Sequence, residues 1–151
     1  MKADKIKEIL LKKLKFTHQD IEKLNKFHDE LLKYNKKYNL ISKSTEDEIW
    51  SRHILDSAQI VNFIDFKQSY SLSDLGTGAG FPGIVLAIFN KNNKFHVKLY
   101  EKSKVKCNFI KKIKTRLRHL LDFVSSCFLS QNMVSCALIV RNSCKSLLKS
   151  Y

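Results

Sequence analysis

Apolar residues recur at helical spacing through the first third of the chain. Lys2–Lys15 places Ile6, Ile9, Leu10 and Leu14 on one face, and Thr17–Tyr38 repeats the pattern with Ile21, Leu24, Phe27, Leu31, Tyr34 and Tyr38. Thr17 followed by Asp20, and Thr45 followed by Glu48, match capping boxes, in which a hydroxyl and a carboxylate satisfy the free N–H groups at a helix start. The spacing therefore predicts two amphipathic helices and a third beginning near Ser44 or Thr45. The third would bury Ile49, Trp50, His53, Ile54, Ala58, Val61 and Ile64 and end before the polar stretch Lys67–Ser69.

The period then changes. Tyr70–Leu75 is short and strand-like, Pro82–Phe89 reads as a helix with proline in its first turn, and Phe95, Val97 and Leu99 alternate with His96, Lys98 and Tyr100 as a second strand. Val105, Phe109, Ile110, Ile113 and Leu117 mark the next helix, and Leu120–Val124 and Cys136–Val140 are candidate third and fourth strands. Strands alternating with helices predict an α/β fold with a parallel sheet and right-handed crossovers. Residues 1–66 thus form a helical N-terminal extension, and 67–151 the α/β part of one compact unit.

Composition sharpens this picture at one place. All four glycines (Gly76, Gly78, Gly80, Gly83) and the single proline, Pro82, fall within Asp74-Leu-Gly-Thr-Gly-Ala-Gly-Phe-Pro-Gly83. A tight turn without a ligand needs one or two glycines, so this segment is a specialised turn. Between the first strand and the next helix it offers backbone N–H groups and a positive dipole end to a ligand. Gly78-Ala-Gly80-Phe-Pro-Gly83 fits G-x-G-x-x-G, and Glu101 ends the second strand, where a carboxylate can accept both hydroxyls of a ribose. A nucleoside cofactor is the natural ligand. The Walker phosphate loop is excluded, because Ile84-Val85 follows Gly83 instead of Lys and Ser or Thr. Between a dinucleotide and S-adenosyl-L-methionine, Asp74 directly before the turn suits the cationic cofactor better.

Charge narrows the partner. The 151 residues carry 28 Lys+Arg against 14 Asp+Glu, a formal charge of +14, which fits a polyanionic partner. After Glu101 there are 11 Lys+Arg and one acidic residue, Asp122; Lys104, Lys111, Lys114 and Arg118 lie opposite Phe109 and Ile113 and are candidate RNA-phosphate contacts, although a solvated lysine face reads the same way. Cys107, Cys127, Cys136 and Cys144 never approach C-x-x-C spacing, so neither a zinc site nor a disulfide framework is expected. No apolar run nears the roughly 18 residues of a membrane span, and the Lys-rich start is no signal peptide. A cytoplasmic protein without membrane or metal partners is expected.

Asp74-Leu-Gly-Thr-Gly-Ala-Gly-Phe-Pro-Gly-Ile-Val-Leu-Ala-Ile88, preceded by Tyr38-Asn-Leu-Ile-Ser42 and Arg52-His-Ile-Leu-Asp-Ser57, resembles the glucose-inhibited division protein B (GidB/RsmG) family over about residues 17–117. These are methyltransferases that modify guanine N7 in 16S ribosomal RNA. The resemblance implies a Rossmann-like class I S-adenosylmethionine-dependent methyltransferase fold behind the helical extension. It also implies cofactor contacts at Gly76, Gly78, Gly80 and Phe81, Glu101 at the ribose, and 16S ribosomal RNA or a small-subunit precursor as partner. The R-H-x-x-D-S segment maps to Arg52, His53, Asp56 and Ser57, with Arg52, His53 and Asp56 as positioning candidates at the pocket mouth. From spacing alone they are half-buried helix positions and an Arg52–Asp56 surface ion pair. No catalytic base is needed, because guanine N7 has a free lone pair.

The chain departs from the family after residue 118. Arg141 matches an arginine near the fourth strand, but Asn142 stands where alanine is expected, and Ser125–Ser130 lacks the carboxylate that meets adenine. In this class the first strand sits mid-sheet with the fourth beside it, and later strands beyond. Ten residues after Arg141 cannot make them, so a truncated or divergent domain is expected, with Ala137–Val140 as an apolar edge open to self-association and with weakened activity. The alternatives are a basic RNA-binding remnant without cofactor, and an NAD-dependent oxidoreductase supported by the formal glycine motif and Glu101.

Overall fold

A computed structural model describes residues 2–117 and 137–141. The expected strand at 120–124, the segment 125–130, Arg118 and Asn142 lie outside the described residues. The order is α1 (Ala3–Lys12), α2 (His18–Tyr38), an irregular helical segment, β1 (Ser71–Leu75), α4 (Gly83–Phe89), β2 (His96–Tyr100), α5 (Lys104–Leu117) and β3 (Ala137–Arg141). The single turn Asp56–Ala58 within the irregular segment is α3.

Helix α1 buries Ile6 and Leu10, and the chain then reverses through Lys15, held at φ 59° in the left-handed region. Glycine is the residue that adopts this conformation without steric cost after a helix. Lys15→Gly is therefore expected to raise the unfolding free energy by about 1 kcal/mol; an unchanged or lower urea midpoint would contradict it.

Helix α2 starts as its sequence predicts. Thr17 Oγ1 accepts from the Asp20 N–H at 3.2 Å and Asp20 Oδ2 accepts from the Thr17 N–H at 2.9 Å, completing the capping box. The second predicted box, Thr45 with Glu48, does not form. Residues Lys43–Glu48 run in 3-10 turns begun by Ser42, whose hydroxyl accepts from the Ser44 N–H. Buried Asn35 draws Glu46 inward through an Nδ2 to Oε1 bond of 2.5 Å while its Oδ1 accepts from the Ile41 N–H at 2.8 Å. Glu48 is left for Arg52.

The third helix is likewise not one regular helix. Ile49–Leu55 winds in π turns before α3 and a 3-10 turn, Gln59–Phe63. Wider π turns change which residues share a face. Ile49, Trp50, Ile54, Ala58 and Val61 are buried as expected, joined by Leu55, whereas His53 and Ile64 are half-buried. The expected Arg52–Asp56 pair gives way to Arg52 Nε donating to Glu48 Oε2 at 2.5 Å.

The sheet has the order β2-β1-β3 with both pairings parallel, so the first strand is central. Leu72 faces Val97 and Leu138 in register, and Leu75 faces Tyr100 and Arg141. Among the described residues β3 pairs with β1, so Ala137–Val140 lies beside the first strand, as the expected neighbour of that strand. Helix α4 is apolar on every side and buried from Gly83 to Ile88, as a helix enclosed between sheet and extension must be.

One apolar cluster joins extension and sheet. Phe27 and Leu31 of α2, Ile54, Leu72, Ile84, Leu99 and Phe109 all belong to it. Two buried carboxylates of α2 lock the same junction: Asp20 pairs with Lys91 just past α4, and Glu30 pairs with Arg116 and, at 3.0 Å, with Lys112 on α5.

Candidate functional site

The glycine turn lies at the C-terminal ends of β1 and β2, where parallel α/β sheets place their ligands. Gly76 and Thr77 N–H groups donate to the Tyr100 carbonyl at 2.8 and 3.1 Å, and Gly80 and Phe81 N–H groups turn back onto the Thr77 carbonyl at 2.9 and 3.0 Å. The turn then enters α4 through the cis Phe81–Pro82 bond.

The glycines divide into two physical classes. Gly76 (φ +74°) and Gly78 (φ +62°) hold left-handed backbone; among the described residues a Cβ on Gly76 would meet nothing within 4 Å, and one on Gly78 would meet only the Gly76 carbonyl at 3.9 Å. Gly83 instead marks close packing, since a Cβ there would lie 2.0 Å from Leu99 Cδ2 and 2.7 Å from Asp74 Oδ2. Gly80 also packs, against the Ile84 side chain. Gly80 combines both features, since it too has a positive φ, +102°.

Two carboxylates organise the turn. Asp74, fully buried, accepts from the Gly83 N–H through Oδ2 at 2.9 Å and so ties β1 to the start of α4. Burial pushes its carboxyl up to about 6, with Glu101 adding to the rise, against the Thr77 hydroxyl and the Gly83 N–H. Its other oxygen, Oδ1, and Thr77 Oγ1 are buried without a hydrogen-bond partner of good geometry among the described residues. Glu101 Oε2 accepts from the Gly78 N–H at 2.9 Å and its Oε1 from the Ser103 N–H at 2.8 Å. Glu101, expected from sequence to stand near the turn, is thus bonded to it.

The extension reaches the turn through aromatic rings. Phe81 is flanked by Phe27 of α2, centroids 5.1 Å apart, and by the stacked His53 ring at 5.0 Å and 22°. His53 Nε2 lies 3.2 Å from Thr45 Oγ1, and burial, reinforced by the Arg52 charge, lowers its pKa and so favours the neutral ring. Arg52 and Asp56 are exposed on the same segment; partial desolvation raises the Asp56 carboxyl against the pull of Arg52.

Of the other expected site residues, Lys104, Lys111 and Lys114 are exposed on α5 while Phe109 and Ile113 are buried. Arg141 ends β3 in register with Leu75, which brings its backbone to the turn's end of the sheet. Sequence reasoning missed Phe27 as a neighbour of the turn, and missed Lys112 and Arg116 as the partners of Glu30. An aromatic residue inside a glycine turn, Phe81, was the available signal that an apolar wall had to come from elsewhere.

The family described as "GidB: rRNA small subunit methyltransferase G" matches residues 20–138. Among similar proteins, each bearing the name ribosomal RNA small subunit methyltransferase G, that of Rickettsia bellii (strain OSU 85-389) is 44% identical over 95 residues, 63% of this chain and 47% of that protein. The one from Magnetococcus marinus is 45% identical over 96 residues, 64% and 42% of the two chains. The one from Pelagibacter ubique is 39% identical over 113 residues, 72% and 53%. The chain spans about half the length of the curated relatives it matches.

Proposed function

Because the chain belongs to the GidB family of rRNA small subunit methyltransferases, we propose that it is a class I, Rossmann-like enzyme. It transfers the methyl group of S-adenosyl-L-methionine to N7 of a guanine in 16S ribosomal RNA. The observation that carries the reading is the pair of carboxylates, Asp74 and Glu101, on either side of a turn whose open face is lined by Gly76 and Gly78. A pyrophosphate would meet two negative groups there, whereas a cofactor with a sulfonium, an ammonium and a ribose meets complementary ones. Asp74 Oδ1 and Thr77 Oγ1, buried and without a hydrogen bond of good geometry among the described residues, fit the same polar surroundings.

When bound, the cofactor supplies a methyl group on a cationic sulfur. Gly76 and Gly78 would face it, Arg141 would stand at its edge, and Glu101 would accept the ribose hydroxyls on the lone pairs not used by Gly78 and Ser103. Asp74 holds negative charge beneath the turn. Phe81, clamped between Phe27 and His53, fixes the second half of the turn, and Arg52 and Asp56 stand on the same segment toward the RNA. Exposed Lys104, Lys111 and Lys114 supply RNA-phosphate contacts. Guanine N7 attacks with its own lone pair, so catalysis rests on alignment, and no residue has to withdraw a proton first.

Titration calorimetry tests this. The chain should bind S-adenosylmethionine and its demethylated product but not NAD. Gly78→Asp, which adds a third carboxylate and a side chain at φ +62°, should weaken that binding by about 100-fold or more. Preference for NAD, or a folded chain with no affinity for either ligand, would overturn the reading. Methyl transfer to 16S ribosomal RNA is then assayed with the same protein.

A further inference from the structure

At the other end of the sheet from the glycine turn lies a groove of about 740 Å³ whose rim carries Lys15, Lys67, Lys91 and Lys94 and no carboxylate. Its aromatic floor is Phe66 and Phe89, in edge contact at 5.2 Å. A second groove, under the α2–α5 contact, differs: Lys26 and Arg116 there are balanced by Asp29 and Glu30.

The basic groove is built rather than incidental to a Lys-rich surface. Its wall is a glycine-free turn tied by asparagines: buried Asn90 donates through Nδ2 to the Phe95 carbonyl at 2.8 Å and the Asn92 carbonyl at 3.0 Å, and Asn92 Oδ1 accepts from the Lys94 N–H at 2.9 Å. Asn92 Nδ2 crosses to the Phe66 carbonyl at 2.8 Å and so fixes the segment bearing Lys67 beside the segment bearing Lys91 and Lys94. Lys15 faces them from the left-handed reversal after α1. Lys91 is partly neutralised by Asp20, but Lys15, Lys67 and Lys94 make no ion pair among the described residues. The rim lysines outnumber the two carboxylates nearby, Asp20, which takes Lys91, and Asp65, whose Oδ1 accepts from the Lys67 N–H at 3.0 Å, and the net positive rim matches a chain of phosphates.

We propose that this groove is a second contact for the RNA backbone, distinct from the α5 lysines. The target RNA then extends along the sheet at least about 16 Å, five strand residues, from the guanine at the glycine turn. The choice of RNA as partner rests on the proposed function. A substrate long enough to reach both ends gains phosphate contacts that a short guanine-bearing oligonucleotide lacks.

The test is the salt dependence of binding of a fluorescent 16S ribosomal RNA fragment to the full chain. Lys67→Ala/Lys94→Ala should lower the slope of log affinity against log salt by about 2 and weaken binding roughly 30-fold at 0.15 M salt, from two phosphate contacts at about 0.9 each. A control pair on exposed α2 positions, Lys33→Ala/Lys36→Ala, removes the same charge and should leave the slope unchanged. Equal slopes in both pairs, or no loss in the groove pair, overturn the proposal; so does absence of RNA binding by the parent chain. Thermal melting and cofactor titration of the groove pair should match the parent. RNA binding that depends on the groove without methyl transfer would overturn the enzymatic reading and leave the groove standing. Methyl transfer with an unaltered slope would do the reverse.

Discussion

Gly83→Ala should destabilise the protein by about 3–5 kcal/mol, the sum of overpacking a buried contact and loosening a charge-assisted hydrogen bond. The added methyl would stand 2.0 Å from Leu99 Cδ2, 2.7 Å from Asp74 Oδ2 and 3.3 Å from Asp74 Cβ. None of these neighbours has room to withdraw: Leu99 and Asp74 are both fully buried on adjacent strands. The start of α4 must move off the sheet, which stretches the 2.9 Å bond from the Gly83 N–H to Asp74. Urea denaturation reads the effect, and a loss below about 1 kcal/mol would show that α4 adjusts freely. The same crowding explains why a glycine is required at Gly83, at the packed end of the glycine turn.

Asp74→Asn should act in the opposite direction, and only above acid pH. The Asp74 carboxyl titrates at about 6 in the fold against an ordinary 3.8, because burial outweighs the Thr77 hydroxyl and Gly83 N–H that favour the anion. A folded pKa above the unfolded one means that the native state binds the proton more tightly. Stability from this group is therefore present at low pH and lost as pH rises from about 4 through 6. About two units correspond to roughly 3 kcal/mol. Asparagine keeps an acceptor for the Gly83 N–H and puts an amide where Oδ1 has no partner, beside Thr77 Oγ1. The variant should gain about 2 kcal/mol over the parent at pH 7.5, an advantage that vanishes near pH 4. It should also bind S-adenosylmethionine more weakly. A stability difference independent of pH would sink the explanation. A group that costs stability at neutral pH and sits under the glycine turn is the energetic pattern expected of the charge in the proposed cofactor site.

The parts of this protein that were readable from sequence are those governed by local rules. The apolar period located α1 and α2, the Thr17–Asp20 box fixed where α2 begins, and the change of period at residue 70 located β1, α4, β2 and α5. Glycine clustering located the specialised turn between β1 and α4, and the strand-end position of Glu101 put it within reach of that turn, where it accepts from the Gly78 N–H. What failed was set at a distance. Glu46 is taken by Asn35, eleven residues earlier, and the Thr45–Glu48 box is lost with the regular helix it would have begun. The same holds for charge: among α5 cations that look alike in sequence, Lys112 and Arg116 are held by Glu30 on another helix while Lys104, Lys111 and Lys114 stay exposed. Periodicity distinguishes buried from solvated positions, but it carries nothing about which solvated cation has a distant carboxylate.

The lock between α2 and the sheet domain bears on how the chain acquires its structure during synthesis. Asp20 finds Lys91 across 71 positions, and Glu30 finds Arg116 across 86. Until those cations emerge, α2 has carboxylates destined for burial and nothing to neutralise them, so its inner face cannot close on a core. The ion pairs that secure the first long helix therefore depend on residues synthesised well after it. A nascent chain halted before residue 91 should expose α2 to proteases, and one extended past 116 should protect it, with Glu30 acting as the latch that registers arrival of α5.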